Sequence, residues 1–323
     1  MMGMTADEAR MFQLFFPHAA ASYMRVLQNQ TRFVQYTQAE SAMKMLRSKS
    51  VWMRKALWMN DYREIDHGWE LLLDTYRDSE AGKGFRAVLD EAFPGIIKEI
   101  TDNFDPWVDE YLHNTYVACV SEHDASEDVN GRLSMWRAYG GTSGVAFVLK
   151  PTPFTTASHA LGSYSSPVAY FSKADVEAHF DKIAAAIRGD LDFVKSQSRP
   201  SIVARIHEAF RYGMICCKHP GFSEEREWRI VYNPQRDIIP KDKRPIEKRI
   251  EIVSGTPQPL YALPLKKFDD GYDLTPAAIL DRIIIGPARY PGALLEAFWD
   301  ELEAAGVPDP KKKVVLSDVP LRV

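Results

Sequence analysis

Residues 221–230 read GFSEEREWRI and run directly into Val231 and Tyr232. Successive side chains of an extended chain point to opposite faces, so Trp228, Ile230 and Tyr232 share one side while Glu225, Glu227 and Arg229 share the other. One face is apolar, and the other is a row of two acids and a base. Two carboxylates placed two residues apart on a strand stand ~7 Å apart and look into the same space. Two arrangements satisfy the pattern: an edge strand whose wet face carries the charges, or a strand whose charged face lines a cleft. In a cleft, such a carboxylate accepts a ribose hydroxyl hydrogen bond and stabilises the positive charge that develops as a bond to sugar C1 breaks. That chemistry needs no metal, and none is predicted.

The remaining sequence bounds this reading. A chain of 323 residues, 46% apolar and 26% charged, has ordinary globular composition and can bury a full core. Forty basic against forty-four acidic residues give a net charge of -4, so the balance does not call for a nucleic-acid partner, although it does not exclude one. Cys119, Cys216 and Cys217 have no metal-ligand spacing and leave one cysteine over, which points to a reducing compartment. The N-terminus carries acids where a signal peptide needs a basic region, its apolar stretch breaks at Pro17, and no apolar run approaches the ~20 residues that span a bilayer. A cytoplasmic protein without a membrane partner is expected.

Helical spacing is plain in four places. Tyr62, Ile65, Trp69, Leu72 and Tyr76 form one stripe; Val176, Phe180, Ile183, Ile187, Leu191 and Val194 form another over some five turns, with Ser172 as N-cap. A third helix follows Pro200, and a fourth runs from Pro291 to a stop at Gly306 and Pro308. Strands are expected at 114–120, 144–150, 167–172 and 281–287, the last closed by Gly286 and Pro287, and along the C-terminal KKVVLSDVPLRV. Residues 234–248 are rich in proline and charge and read as a loop. The expected fold class is α+β, with a central split or two-layer mixed sheet and flanking helices. The expected organisation is an N-terminal helical extension over 1–30 and one α+β domain with helical insertions over 31–323.

Several smaller features admit two readings each. Asn60, Asp61 and Glu64 suit a helix entry, as caps or as ligand contacts, and Arg54 just upstream would complement a phosphate there. Trp136 and Tyr139 sit on one side of a helix end before two glycines, either packed or bordering a cleft where a flat ring stacks on Tyr139. GGTSG lacks the lysine and spacing of a phosphate-binding loop. The eight histidines form no zinc pattern, and His123 and His219, beside the acidic motifs, are candidate proton carriers. No Gly-x-Ser-x-Gly elbow is present, which removes the serine hydrolases built on it.

FVQYTQAESAMKMLRSKSVWM (33–53), MNDYRE (59–64), VSEHDASEDVNGRLSMWRAYGGTSGVAFVL (120–149), KHPGFSEEREWRIVY (218–232) and LDRIIIGPARY (280–290) together resemble a widespread bacterial family known only as a domain of unknown function. A second likeness suggests chemistry. FVQYTQAESAMKML resembles the first strand and helix of the ADP-ribosyltransferase superfold, and EREWRI (225–230) resembles its later strand bearing a Glu-x-Glu pair. The resemblance implies an ADP-ribosyltransferase-like fold and NAD as substrate. It makes Glu227 the acid that holds the nicotinamide ribose and stabilises the oxocarbenium ion, and Glu225 the group that activates the acceptor. Tyr36 and Thr37 would position the nicotinamide side, Ser121 in CVSEH would stand for the second motif, and Arg54 or Arg229 would meet the diphosphate.

The expected cleft is therefore lined by Tyr36, Thr37, Arg54, Ser121, Tyr139, Glu225, Glu227 and Arg229. The expected activity is transfer or hydrolysis of the ADP-ribose unit of NAD, as in a bacterial toxin or phage-defence effector, with the macromolecular acceptor left open. Two alternatives stand beside it. One is a non-catalytic module that binds a nucleotide or protein and keeps these charges as a structural ion network. The other is a metal-dependent nuclease using Asp61, Glu64 and Glu227.

Overall fold

The computed structural model describes residues 5–58, 63–156, 158–253 and 255–321, with the side chains at 63–66, 103, 105–107 and 109 left out of the description. The strands are β1 (Arg32–Gln38), β2 (Ser50–Lys55), β3 (Tyr116–His123), β4 (Ser143–Leu149), β5 (Tyr164–Pro167), β6 (Ala169–Tyr170), β7 (Cys217–Lys218), β8 (Glu227–Tyr232), β9 (Glu247–Val253), β10 (Thr256–Pro264), β11 (Leu280–Ala288) and β12 (Val314–Leu316). The longer helices are α1 (Ala6–Phe15), α2 (Pro17–Asn29), α3 (Ala39–Ser48), α4 (Arg63–Asp78), α5 (Glu80–Ala92), α6 (Ile96–His113), α7 (Lys173–Gly189), α8 (Arg199–Ile215) and α9 (Pro291–Ala304).

Among the described residues, ten strands make one sheet with the path β12-β11-β4-β1-β3-β2-β10-β9, antiparallel except between β11 and β12. The sheet forks at β3. One edge of β3 carries β8, and β5 pairs beyond it; the other edge pairs with β1 near Ser121 and with β2 near Val117. β6 and β7 form a separate parallel pair. The chain is thus α+β, with a mostly antiparallel open sheet and flanking helices.

Both faces of the sheet are covered, which explains the unbroken apolar runs in β4 and β11. On one face, Val34, Tyr36, Ala146, Val148 and Ile284 pack around Trp136, while Val117 and Val231 join a large cluster built by α1 and α4–α8. On the other, Val145, Phe147, Ile283 and Ile285 pack on α3 and α9, and Phe33 meets Trp228 and Phe154. Ile283, Ile284 and Ile285 are each fully buried, and burying one such side chain is worth about 1.5–3 kcal/mol. Met11, Leu14, Phe15 and Phe16 of the N-terminal helices lie inside the large cluster, so these helices are part of the core.

The helical spacings hold where the residues are described; Tyr62 and the side chain of Ile65 lie outside them. Ser172 caps α7 in a capping box, and Gly306 has φ +74° after α9. The long stripe from Val176 to Val194 is divided, however: α7 ends at Gly189, and Leu191–Ser196 forms a separate short helix. The stripe continues because Ile187 and Val194 pack on the same cluster on either side of the break.

The stretch 167–172 is two short strands rather than one. Val168 donates to the Glu227 carbonyl and Ala169 to that of Cys216, so the chain changes partners there. At the C-terminus, among the described residues, Val314–Leu316 alone joins the sheet, and Pro310–Lys313 winds into a helical turn after Asp309, which has φ +51°. β11 runs past the expected stop at Gly286 and Pro287 to Ala288, with an irregular register after Ile285.

Gly286 is required there: a Cβ at this position would lie 2.6 Å from the Trp136 ring. Gly286→Ala is expected to cost about 1–3 kcal/mol, read as a lower urea midpoint at unchanged slope. Gly84→Ala in α5, where a Cβ meets nothing within 4 Å, is expected to stabilise by about 0.5–1 kcal/mol in the same measurement.

Candidate functional site

Strand β8 begins at Glu227, and Glu225 is not on it, which corrects the strand reading of the Glu-x-Glu pair. Residues Pro220–Glu225 form a 3-10 turn capped by His219, whose Nδ1 accepts from the Gly221 N–H at 3.1 Å. Arg226 then takes φ +48° and turns the chain into the strand. The left-handed conformation of a non-glycine residue is held by ion pairs from Arg226 to Asp124 and Glu127. From Glu227 onward the alternation holds, with Trp228 in an apolar cluster on one face and Glu227 and Arg229 buried on the other.

The two carboxylates nevertheless converge, on a residue that the strand pattern does not contain. Lys218 Nζ lies 2.5 Å from Glu225 Oε2 and 3.1 Å from Glu227 Oε2. β7 places this lysine by pairing in parallel with β6, and the Phe222 ring covers its ammonium at 4.9 Å. Glu227 is 6% exposed, Arg229 4% and Lys218 3%, so three charges lie out of water. Arg229 Nε donates to Glu227 Oε1 at 2.8 Å, and the same guanidinium donates to the Ile215 carbonyl. The Glu227 amide donates to the Tyr170 hydroxyl at 2.8 Å. Burial alone would raise the Glu227 pKa, but the charges of Arg229 and Lys218 outweigh it and hold the carboxyl down at about 2.

Glu225 and Tyr139 form the partly exposed end of this cluster. The Tyr139 hydroxyl donates to Glu225 Oε1 at 3.0 Å from a π-helical turn, Trp136–Gly140. Arg132 fastens that turn to the rest: its amide donates to the Tyr36 hydroxyl at 2.9 Å, and its guanidinium donates to the carbonyls of Glu122, Glu224 and Glu225. Trp136 meets the Tyr36 ring edge-on at 4.8 Å. Burial first, then the neighbouring Glu225 carboxylate, raises the Tyr139 pKa, so it remains a phenol and a donor.

The other expected members are distributed unevenly. Ser121 is buried directly across the ladder from Glu227, and the pairing of Val34 with Ser121 puts Tyr36 on the same face of the sheet. Thr37, one residue on, faces the opposite side with Val145, so the Tyr-Thr pair does not act on one ligand surface. Arg54 lies on the Glu227 face opposite Val117, where its Nη2 donates to the Trp58 carbonyl at 3.0 Å and its Nε is buried without a partner among the described residues.

His123 is buried against Asp128 at 2.9 Å, and burial pushes its pKa down. Asn60 and Asp61, and the side chain of Glu64, lie outside the described residues. Lys218, Tyr170 and Arg132 were not legible as site residues. Lys218 precedes the motif by seven residues, and only the parallel pairing of two dipeptides folds it back.

Glu227 supplies a pH test. Its folded pKa of about 2 lies below the ordinary 4.5, so the stabilisation by its ionised form is complete above about pH 4.5 and is lost as pH falls toward 2. Glu227→Gln leaves Lys218 and Arg229 short of a counter-charge and is expected to cost about 3–5 kcal/mol at pH 7. Denaturant unfolding of both proteins across pH 2–7 checks this, with the difference between them shrinking toward the acid end.

Among the described residues, no group of three or more His, Cys, Asp or Glu side chains is placed to hold a metal ion, and no helix is long and apolar enough to cross a membrane. No curated protein and no solved structure matches the chain. One family model does match, over the segment that starts at the Trp136–Tyr139 turn, ends within β8 and contains Lys218, Glu225, Glu227 and Arg229. Residues 135–230 match the family described as protein of unknown function (DUF2971).

Proposed function

We propose that the chain binds NAD at the Glu225–Tyr139 end of the cluster and cleaves its nicotinamide–ribose bond, passing ADP-ribose to water or to a macromolecular acceptor, as a toxin or phage-defence effector would. The observation that carries this reading is the convergence of two carboxylates on the Lys218 ammonium, one at the solvent side and one behind it. The roles divide by exposure. Glu227 lies between two cations, so little negative potential is left on it to stabilise a developing oxocarbenium ion; its part is to hold Lys218 and Arg229 in place. Glu225, the more exposed of the two acids and oriented by Tyr139, is the carboxylate that meets the sugar. The Tyr139 ring offers a face to a flat heterocycle.

A second reading is favoured by the complete pairing of Glu227. Two acids and two bases cancel, and such networks often do no chemistry. In that reading the same end of the cluster binds a nucleotide without cleaving it. Nicotinamide release and NAD affinity, measured on the purified protein, separate the two. NAD cleavage should fall at least about 100-fold in Glu225→Gln with the circular dichroism spectrum unchanged. Binding without nicotinamide release would establish the non-catalytic module, and absence of both would end the nucleotide proposal.

A further inference from the structure

At one end of the main strand path β9 pairs with β10 along its inner edge, and among the described residues no strand pairs with its outer edge. Burial along β9 is inverted. Lys248, Ile250 and Ile252 share one side and are all exposed, whereas Arg249 and Glu251 on the other side are partly covered. Pro257 and Pro259 of β10 stand opposite Ile252 and Ile250 and widen the apolar surface.

Those prolines fix the direction in which the β9 backbone points. Facing residues of an antiparallel ladder alternate between pairs that exchange N–H···O bonds and pairs that do not. Proline has no N–H to donate, so Ile250–Pro259 and Ile252–Pro257 are the pairs without bonds. Arg249, Glu251 and Val253 carry the bonds to β10, opposite Leu260, Gln258 and Thr256. The N–H and C=O groups of Ile250 and Ile252, and of Lys248 by the same alternation, therefore point away from the sheet.

This edge is complementary to itself. A two-fold axis at Ile250 sets two copies of β9 antiparallel, with Ile250 opposite Ile250 and Lys248 opposite Ile252, and the outward backbone groups of these residues meet their counterparts. On the other side, Arg249 of each copy faces Glu251 of the other. Arg249 also lies 2.9 Å from Glu247 of its own strand, so in the pair it sits between two carboxylates. Neighbouring registers lose this match. An axis at Arg249 opposes Arg249 to Arg249 and Glu247 to Glu251, and an axis at Glu251 opposes Glu251 to Glu251. Like charges placed directly opposite are destabilising, so one register is selected.

We propose that β9 is a homodimerisation edge: two copies of the chain join antiparallel about Ile250 and continue the sheet from one molecule into the other. The occupant is a second copy because the same seven residues supply both halves of every contact. The dimer does not depend on NAD binding or cleavage.

Sedimentation equilibrium of the full chain is expected to show a concentration-dependent dimer. Arg249→Glu and Glu251→Arg each make both cross-strand charge pairs repulsive, and each is expected to weaken the dimer at least about tenfold with an unchanged circular dichroism spectrum. Mixing the two variants restores opposite charges at both positions, so a heterodimer of near wild-type affinity is expected, and a chain carrying both changes should self-associate again. Three outcomes would overturn the proposal. The first is a wild-type chain that stays monomeric, which would leave the edge to a strand of another protein or to solvent. The others are a dimer that neither single change weakens, and folded single variants that do not associate when mixed.

Discussion

An ammonium removed from water must find anions, and in this chain Lys218 finds two. Stripping water from a single charge costs several kcal/mol even after relaxation, so the lysine, Glu227 and Arg229 are tolerable in the interior only as a set. That requirement sets local geometry on three sides. β7 must pair with β6 to bring the lysine in, Arg226 must turn left-handed to separate the two acids, and the π-helical turn must hold Tyr139 over Glu225. The cluster lies as a polar seam between two apolar masses on one face of the sheet, the Trp136 group and the large helical cluster.

The fork at β3 is what creates room for such a seam. A sheet with uniform ladders would pass β1, β3 and β2 in order and close its faces evenly. Here β3 is shared by β1, β2 and β8, so side chains from Tyr36, Ser121, Glu227 and Arg229 come to one surface from strands far apart in sequence. Arg132 and Arg229 reach from this surface to carbonyls at the end of β3, at the end of α8 and in the 3-10 turn before β8. That pattern ties the loops to the sheet.

Legibility in the sequence followed periodicity. The amphipathic stripes of α4, α7, α8 and α9 and the apolar runs of β3, β4 and β11 could be read directly, because burial on one or both faces imposes a repeat. The acidic pair was visible as composition, but its geometry was not: nothing local marks Arg226 as left-handed, since that conformation is held by Asp124 and Glu127 about a hundred residues away. Thr37 stands on the opposite face of β1 from Tyr36, because neighbours in an extended chain point to opposite sides. The loop expected over 234–248 overlaps β9 at Glu247 and Lys248, where charge continues into a strand whose isoleucines point outward. Ile250 is 75% exposed and Ile252 58%.

The β9–β10 hairpin leaves the two ends of the main strand path unequal. β12 offers only three residues to a newcomer, whereas β9 presents seven, with an open row of backbone donors and acceptors beside bare isoleucines. Rims of this kind are where one molecule templates another, and the usual guard is charge. Glu247, Lys248, Arg249 and Glu251 supply it with both signs, so the guard is weakest wherever ionic strength screens it or acid neutralises half of it. This seven-residue border, far from the charged interior, is therefore where the fold is most open to pairing edge to edge.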